Sequence, residues 1–302
     1  RIVIRGMGSR TPYNTNRIRS YLNDIPLTSA DGISSPEEID MSAIGRMEII
    51  KGPSSALYGS GLGGAINLYT PEITGNEGNA EVQFGRWNTL KAGLSGNIRK
   101  ENAQVWGSVN RLHSDGYREN NHYDRTSILT TGMLRLTEWS VKTTLLAMNV
   151  NGGIPSSLGD TQYRLHPETA ASSWKDVGGF KKYFRGLSAA EITGNISEKL
   201  SNQLIIFGRW NDNYEKRPFN NLDDRSLSGG LRNKLTLHGL KYDMVAGAEW
   251  ITENYKWRLD KDNLLLNENS ERRRQFNLFA VIFYRPDPKL NISVAGALNR
   301  IT

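Results

Sequence analysis

The sequence predicts a mainly β protein in which a small α+β unit precedes a long run of antiparallel strands built as a membrane-crossing barrel. Three observations carry the prediction. After about residue 77 apolar residues recur at every second position, the period of a two-faced strand. The strands so marked number about eleven and often reach ten residues, whereas soluble strands are usually nearer five or six. Their connections alternate between short and long, the asymmetry of barrels with short turns on one side of a membrane and longer loops on the other.

Composition narrows the alternatives. The chain has 302 residues, 38 Lys+Arg against 31 Asp+Glu, a net charge of +7 and no cysteine. Disulfide scaffolds, Cys-ligated zinc and thiol nucleophiles are therefore excluded. The longest apolar run, Leu278 to Tyr284, falls far short of the ~20 residues of a transmembrane helix. A mean hydropathy of −0.53 is compatible with a barrel, because only alternate residues of each strand face lipid. Positive charge alone decides no partner, and nothing in the sequence calls for nucleic acid.

The elements follow in order. Arg1 to Gly6 reads as a strand already in progress, and the last strand, Leu290 to Asn299, stops at Thr302 without a terminal motif, so the sequence reads as an internal segment of a longer protein. Ser35-Pro36-Glu37-Glu38 has the cap, proline and acids of a helix N-terminus. Arg46 to Lys51 alternates as a strand and Gly52-Pro53 breaks it; Ser54 to Leu57 suits one helical turn, and Ala65 to Thr70 a further strand. This opening unit spans 1–76. The strand region spans 77–302. There Leu90, Ala92, Leu94, Gly96 and Ile98 oppose Lys91, Gly93, Ser95 and Asn97, and Leu227, Gly229, Leu231, Leu235 and Leu237 oppose Ser226, Ser228, Arg232, Lys234 and Thr236. Short turns are expected near residues 100, 137, 198, 238 and 287, and long connections over 114–124, 151–182, 214–224 and 260–271. Trp210, Tyr242, Trp250 and Tyr284 lie near the ends of apolar faces, where an interfacial aromatic girdle would sit.

Chemistry-bearing motifs are few. Gly59 to Gly64 contains a literal G-x-G-x-x-G, but a strand follows it where a dinucleotide fingerprint needs a helix, so it reads as a glycine-rich turn. The four histidines are scattered without metal-ligand spacing. Ser54 lacks the nucleophile elbow. No enzyme, metal site or cofactor is expected. Lys181-Lys182, Arg185 and Arg272-Arg273-Arg274 lie in or beside long connections, as a solvated rim facing acidic surface sugars or as an electrostatic funnel for an anionic solute.

Arg46-Met-Glu48-Ile-Ile-Lys51-Gly52-Pro53-Ser-Ser-Ala-Leu-Tyr58-Gly59-Ser-Gly61-Leu-Gly63-Gly64-Ala-Ile-Asn67 closely resembles the plug-domain signature of TonB-dependent outer-membrane receptors. Ile4-Arg5-Gly6 and Tyr21 to Leu27 resemble that family's other plug segments in the right order, and Ser114 to Arg118 its first long barrel loop. Asn23 stands where many relatives carry Asp. The resemblance implies a plug inside a barrel of about 22 strands, of which this chain would hold about the first half. It also implies active uptake of a scarce solute across the bacterial outer membrane, most often a ferric siderophore, driven by TonB with ExbB and ExbD through a peptide upstream of Arg1. Cobalamin, haem, copper or an oligosaccharide are the alternatives within the family, and a passive or structural barrel the alternative outside it. Lipid and lipopolysaccharide would surround the wall. The metal chelate would be bound by the plug apex (Arg10, Tyr13 and Asn14, with Thr28 to Ile33) and by Tyr117, Arg118, Tyr123 and Trp174 of the outer loops.

A polar lumen, lined by Lys91, Arg135, Lys142, Arg209, Arg232, Lys234, Glu191 and Glu249, requires water or a polar plug whose charges pair with the wall. Arg5, Arg46 and Lys51 of the plug are expected to face barrel carboxylates, with Glu191 and Glu249 as candidates.

Overall fold

A computed structural model describes residues 18–27, 36, 39–51, 53–58, 64–287 and 289–302. Two sheets account for it. The first comprises β1 (Ile18–Leu22), β2 (Ile25–Pro26), β3 (Arg46–Ile50) and β4 (Gly64–Tyr69), ordered β2-β1-β4-β3. β1 and β4 run parallel, and the other pairs are antiparallel. Asn23 and Asp24 turn the β1–β2 hairpin with φ of 50° and 63°, the left-handed pair that a two-residue hairpin needs and that Asn and Asp tolerate. A 3-10 turn over Met41–Ala43 is capped by Asp40, whose carboxylate accepts from the Ser42 amide at 2.9 Å. A second, over Pro53–Tyr58, follows β3. The expected helix start at 35–38 lies outside the described residues apart from Pro36, as do Gly52, Gly59 and Gly63.

The second sheet is an eleven-stranded antiparallel meander in which every strand pairs with its sequence neighbours. It consists of β5 (Glu77–Gly85), β6 (Thr89–Arg99), β7 (Ala103–Ser114), β8 (Tyr123–Arg135), β9 (Trp139–Gly153), β10 (Phe180–Asn195), β11 (Leu200–Lys216), β12 (Asn221–His238), β13 (Tyr242–Lys261), β14 (Leu264–Asp287) and β15 (Leu290–Ile301). β5 and β15 are its edges. One parity of each strand faces outward and is apolar: Leu94, Ile98, Ile206, Leu227, Val294 and Leu298 are all more than half exposed. The other parity faces the first sheet, with Ser226, Ser228 and Arg232 buried opposite those outward leucines. No described helix is long and apolar enough to cross a membrane; the greasy outer face belongs to the strands. Tyr242 and Tyr284 are register partners near the short-turn end, and Trp250 and Phe276 are partners further along; all four are half exposed, as a girdle at each edge of an apolar band requires.

Two expected loops are not loops. The connections over 214–224 and 260–271 shrink to residues 217–220 and 262–263, because β11 to β14 continue their pairing well beyond the apolar band. Outward positions there become polar (Asp212, Arg225, Lys256, Arg258), which in the sequence resembles loop composition. β14, with 24 residues, spans about 80 Å at 3.3–3.4 Å per residue, whereas a tilted membrane strand needs only ~9–11 residues. The excess projects as a hairpin beyond the band, closed by Asp262 and Asn263 at φ of 49° and 64°.

The inner wall also departs from a uniformly polar lumen. Ile18, Leu22, Ile25, Ile66 and Leu68 of the small sheet form one buried cluster with Trp106, Leu129, Leu146, Leu187, Ile205, Phe207 and Ile251 of the wall. At that height both parities of several strands are apolar, one facing outward and one facing the inserted domain.

Candidate functional site

Two electrostatic latches join the inserted domain to the wall. In the first, Asp40 is buried and bridges two strands: Lys91 of β6 lies 3.1 Å from one oxygen, and Arg125 of β8 bonds the other. Burial pushes the Asp40 carboxyl up, but the Ser42 hydroxyl and amide, Lys91 and Arg125 together hold it below the usual carboxylate range. In the second, Arg232 of β12 enters from the wall, fully buried. It pairs with Glu249 at 2.8 Å, donates to the Leu57 carbonyl, and lies 5.5 Å from the Tyr21 ring, 5.3 Å from the Tyr58 ring and 4.8 Å from the Phe279 ring. Tyr21 and Tyr58 meet edge to face at 4.8 Å, and the Tyr21 hydroxyl donates to the Tyr58 carbonyl. Burial, with the nearby Asp24 charge, raises the Tyr58 phenol to about 12, so it stays neutral. Beside it, Asp24 receives Asn67 Nδ2 at 2.5 Å and Lys234 Nζ at 3.4 Å. Burial would raise its carboxyl, and the Lys234 and Arg232 charges outweigh that and lower it.

The signature residues have structural uses here. Gly64 adopts φ +113°, and a Cβ there would strike the Ile50 carbonyl. Tyr58 and Asn67 serve the second latch. Arg46 bonds Glu48 on its own strand and stacks on Tyr69 at 4.1 Å. Among the described residues the expected polarity of the pairing is reversed. Arg46 is engaged within its own sheet, Lys51 is exposed, and Arg5 with Gly6 lies outside the described residues. Glu249 is taken by Arg232 and Asn277, and Glu191 by Thr193 and Gln203, all on the wall. Among the described residues the wall supplies the cations and the plug the carboxylates, Asp24 and Asp40, neither of which the sequence reading singled out.

Toward the long-loop end the inner wall changes character. Tyr123, Met148, Val150 and Tyr183 pack together. The Arg185 guanidinium lies 4.8 Å and Lys181 Nζ 5.7 Å from the Tyr183 ring. Lys181 and Arg185, though not the aromatic cluster itself, line one side of a cavity of about 210 Å³ with Asn213, Glu215, Arg217, Asp224 and Tyr255. Strand alternation sorts the basic runs: Lys181 faces this space and Lys182 faces outward, while in Arg272-Arg273-Arg274 only the central residue points inward, onto Glu253. Arg209 meets the other Glu253 oxygen at 3.4 Å and donates to the Pro26 carbonyl, a further wall-to-plug tie.

Of the predicted loop residues, Tyr123 reaches this wall; the others brace loops. Arg118 donates to the carbonyls of Ser156 (2.7 Å), Thr169 (3.0 Å) and Pro155 (3.4 Å). Glu119 takes Lys175 at 2.8 Å, and Asn120 donates to the Ile154 and Gly179 carbonyls. Connections 115–122 and 154–179 are thereby knitted together. Trp174, on the short helix Ser172–Val177, packs against Gly179, and Tyr117 packs edge-on against Trp87 at 5.5 Å. Arg10, Tyr13, Asn14 and the 28–33 segment lie outside the described residues. Arg118→Ala removes three charge-assisted bonds to carbonyls, so trypsin or hydrogen exchange on the intact receptor is expected to find residues 154–179 opened while strand amides stay protected; unchanged exchange in that loop would refute the bracing role.

Comparisons with known proteins agree with this architecture. The TonB-dependent Receptor Plug Domain model matches residues 1–66. The probable TonB-dependent siderophore receptor PirA of Acinetobacter baumannii is 24% identical over 304 residues, 84% of this chain and 39% of its own length. Vitamin B12 transporter BtuB of Vibrio vulnificus is 32% identical over 113 residues, covering 37% of this chain and 18% of its own. The structure of Pseudomonas aeruginosa FpvA bound to a pyoverdine–iron complex superposes with a TM-score of 0.77 at 13% identity, over 94% of this chain and 45% of that one. The chain thus spans less than half the length of each. The start of the chain, residues 1–66, is therefore a TonB-dependent receptor plug domain by its family match, and the chain as a whole has the plug-and-wall fold of such receptors.

Proposed function

We propose that the protein containing this chain imports a ferric siderophore across the bacterial outer membrane, energised by TonB with ExbB and ExbD. The observation that carries the reading is the inner wall beyond the plug, where Lys181 and Arg185 flank Tyr183, which packs with Tyr123, and line one cavity with Tyr255. Cations over aromatic faces suit an anionic chelate with flat or aromatic groups, since charge steers the solute and the rings supply contact area. The plug supports it further: a domain latched to the wall at Asp24, Asp40 and Arg232 has use in gated uptake and none in free diffusion. Arg10, Tyr13 and Asn14 at the plug apex complete the proposed ligand set with Tyr123. A cobalamin ligand is the second reading, favoured by the BtuB match.

Uptake of ⁵⁵Fe supplied as siderophore from spent medium tests the proposal, in cells with and without the gene and with and without TonB. Gene- and TonB-dependent accumulation is expected. Arg185→Ala should weaken surface binding by about tenfold or more, the loss of a charged contact worth 1.5–3 kcal/mol. Iron uptake unaffected by deletion, with labelled cobalamin uptake abolished, would replace the first reading by the second.

A further inference from the structure

The first latch and the β1–β2 hairpin leave a bay between plug and wall at the short-turn end. It has a volume of about 790 Å³ and is enclosed by the linker from Thr70 to Thr74 and by the inner faces of β7, β8 and β9. Four cations line it, Arg46, Arg99, Arg135 and Lys142, against one carboxylate, Glu72. Two of the four are engaged: Arg46 bonds Glu48, and Arg99 reaches the Ile73 and Thr74 carbonyls at 3.4 and 3.5 Å. Arg135 and Lys142 differ. Both stand on inward positions of the wall, Arg135 exposed at the end of β8 and Lys142 between Met133 and Glu191 in register; Glu191 and Asp24 attract Lys142 from a distance, but among the described residues neither side chain makes a direct hydrogen bond or ion pair. On the opposite side of the plug the wall cations Arg232 and Lys234 are engaged by Glu249 and Asp24. At its inner end the bay is closed by the hairpin tip, where Asn23 Nδ2 meets Thr144 Oγ1 of β9 at 3.4 Å and also Thr70.

From this asymmetry we propose that the bay is an anion-binding exit station. An anionic solute passing the plug is received by Arg135 and Lys142 on the β7–β9 side before release at the short-turn mouth, and displacement of the Asn23–Asp24 tip is the movement that connects the bay to the lumen above. The proposal rests on the uptake reading for its biological use, and the site itself rests on the cavity and on its excess of cations, of which Arg135 and Lys142 make no direct ion pair among the described residues. A low-dielectric cleft lined by one sign of charge concentrates ions of the other sign.

The lack of cysteine in this chain permits a direct test. Met133→Cys places one thiol in the bay of the full-length receptor, with any cysteine elsewhere in that protein replaced by serine. Two small thiosulfonate reagents, one carrying a sulfonate and one a trimethylammonium group, are compared on the purified receptor, each rate normalised to free cysteine. The sulfonate reagent is expected to react about tenfold faster than its cationic counterpart. R135Q/K142Q should abolish the preference and R135K/K142R retain it. Should the neutral variant fail to fold, salt serves instead: near 1 M, where the Debye length is about 3 Å, the preference in the Met133→Cys protein must collapse. Equal normalised rates at low salt, a faster cationic reagent, or a preference indifferent to both charge removal and salt would overturn the proposal. None of these outcomes depends on the natural solute, so the iron-uptake assay can succeed where this one fails, and the reverse.

Discussion

Arg232→Ala is expected to free the plug from the β12–β13 side of the wall. Arg232 is 2% exposed, and its loss strands Glu249 as a buried carboxylate without its cation. Breaking a buried pair from one side costs about 3–5 kcal/mol, because the abandoned charge keeps its desolvation penalty. The same guanidinium also holds the Leu57 carbonyl and fills the space between Tyr21, Tyr58 and Phe279, so the plug loses a tether as well as a charge. Hydrogen exchange on the full-length protein should show amides of β1 and β4 exchanging about a hundredfold faster, the equivalent of about 3 kcal/mol. R232M/E249Q is the informative partner. Methionine restores volume, and glutamine keeps an acceptor for Asn277, which donates to Glu249 at 2.8 Å. Most of the protection should return. Exchange in β1 that is indifferent to Arg232→Ala would show that the apolar cluster alone holds the plug.

What the sequence revealed follows from which forces leave a local imprint. The wall was legible because lipid demands an apolar residue at every second outward position: Leu90 to Ile98 and Leu227 to Leu237 show this without any knowledge of neighbours. The hairpins β11–β12 and β13–β14 were misread because that demand stops at the edge of the apolar band, while backbone pairing continues; Arg258 opposite Glu268 is still strand. The inner apolar belt was missed for a related reason. Ile205, Ile206 and Phe207 in succession satisfy plug and lipid at once, so the alternation that marks a two-faced strand fades. The wall cations Lys91, Arg232 and Lys234 were found by parity, but their plug partners were not. Asp24 sits in a tight turn and meets Lys234 across 210 residues, and no local pattern encodes such a meeting. Toward the long-loop end, Tyr123, expected as a loop aromatic, instead opens β8 and packs on the inner wall, whereas Arg118 turned out to be a brace, a role that depends on carbonyls of a second loop.

Asp40 should make the β6–β8 side of the plug acid-labile. Its carboxyl is lowered in the assembled structure, despite burial, by Ser42, Lys91 and Arg125. A group lowered in the folded state contributes its full stabilisation above the ordinary aspartate value of about 3.9 and loses it as pH falls through the lower, folded value. Asp24 is lowered as well and adds in the same direction. Protection at Met41–Ala43, the exchange rate normalised to the intrinsic amide rate at each pH, is therefore expected to be flat from neutrality to about pH 5 and to fall below about pH 4. Asp40→Asn should bring the acid state to neutral pH. The amide oxygen can still cap Ser42, and Lys91 keeps Glu81 at 3.7 Å, but Arg125 loses this carboxylate while only 7% exposed. The cost should be about 2–3 kcal/mol, toward the lower side for a buried pair because part of the network survives. Glu48→Gln is the control: its pair with Arg46 is exposed on both sides, and such pairs contribute about 0–1 kcal/mol. If Asp40→Asn and Glu48→Gln shift exchange at Met41–Ala43 equally, the plug is seated by its apolar face and the buried carboxylate merely accompanies it; a large shift for the first alone makes the wall cations on β6 and β8 the seat that any opening movement must break.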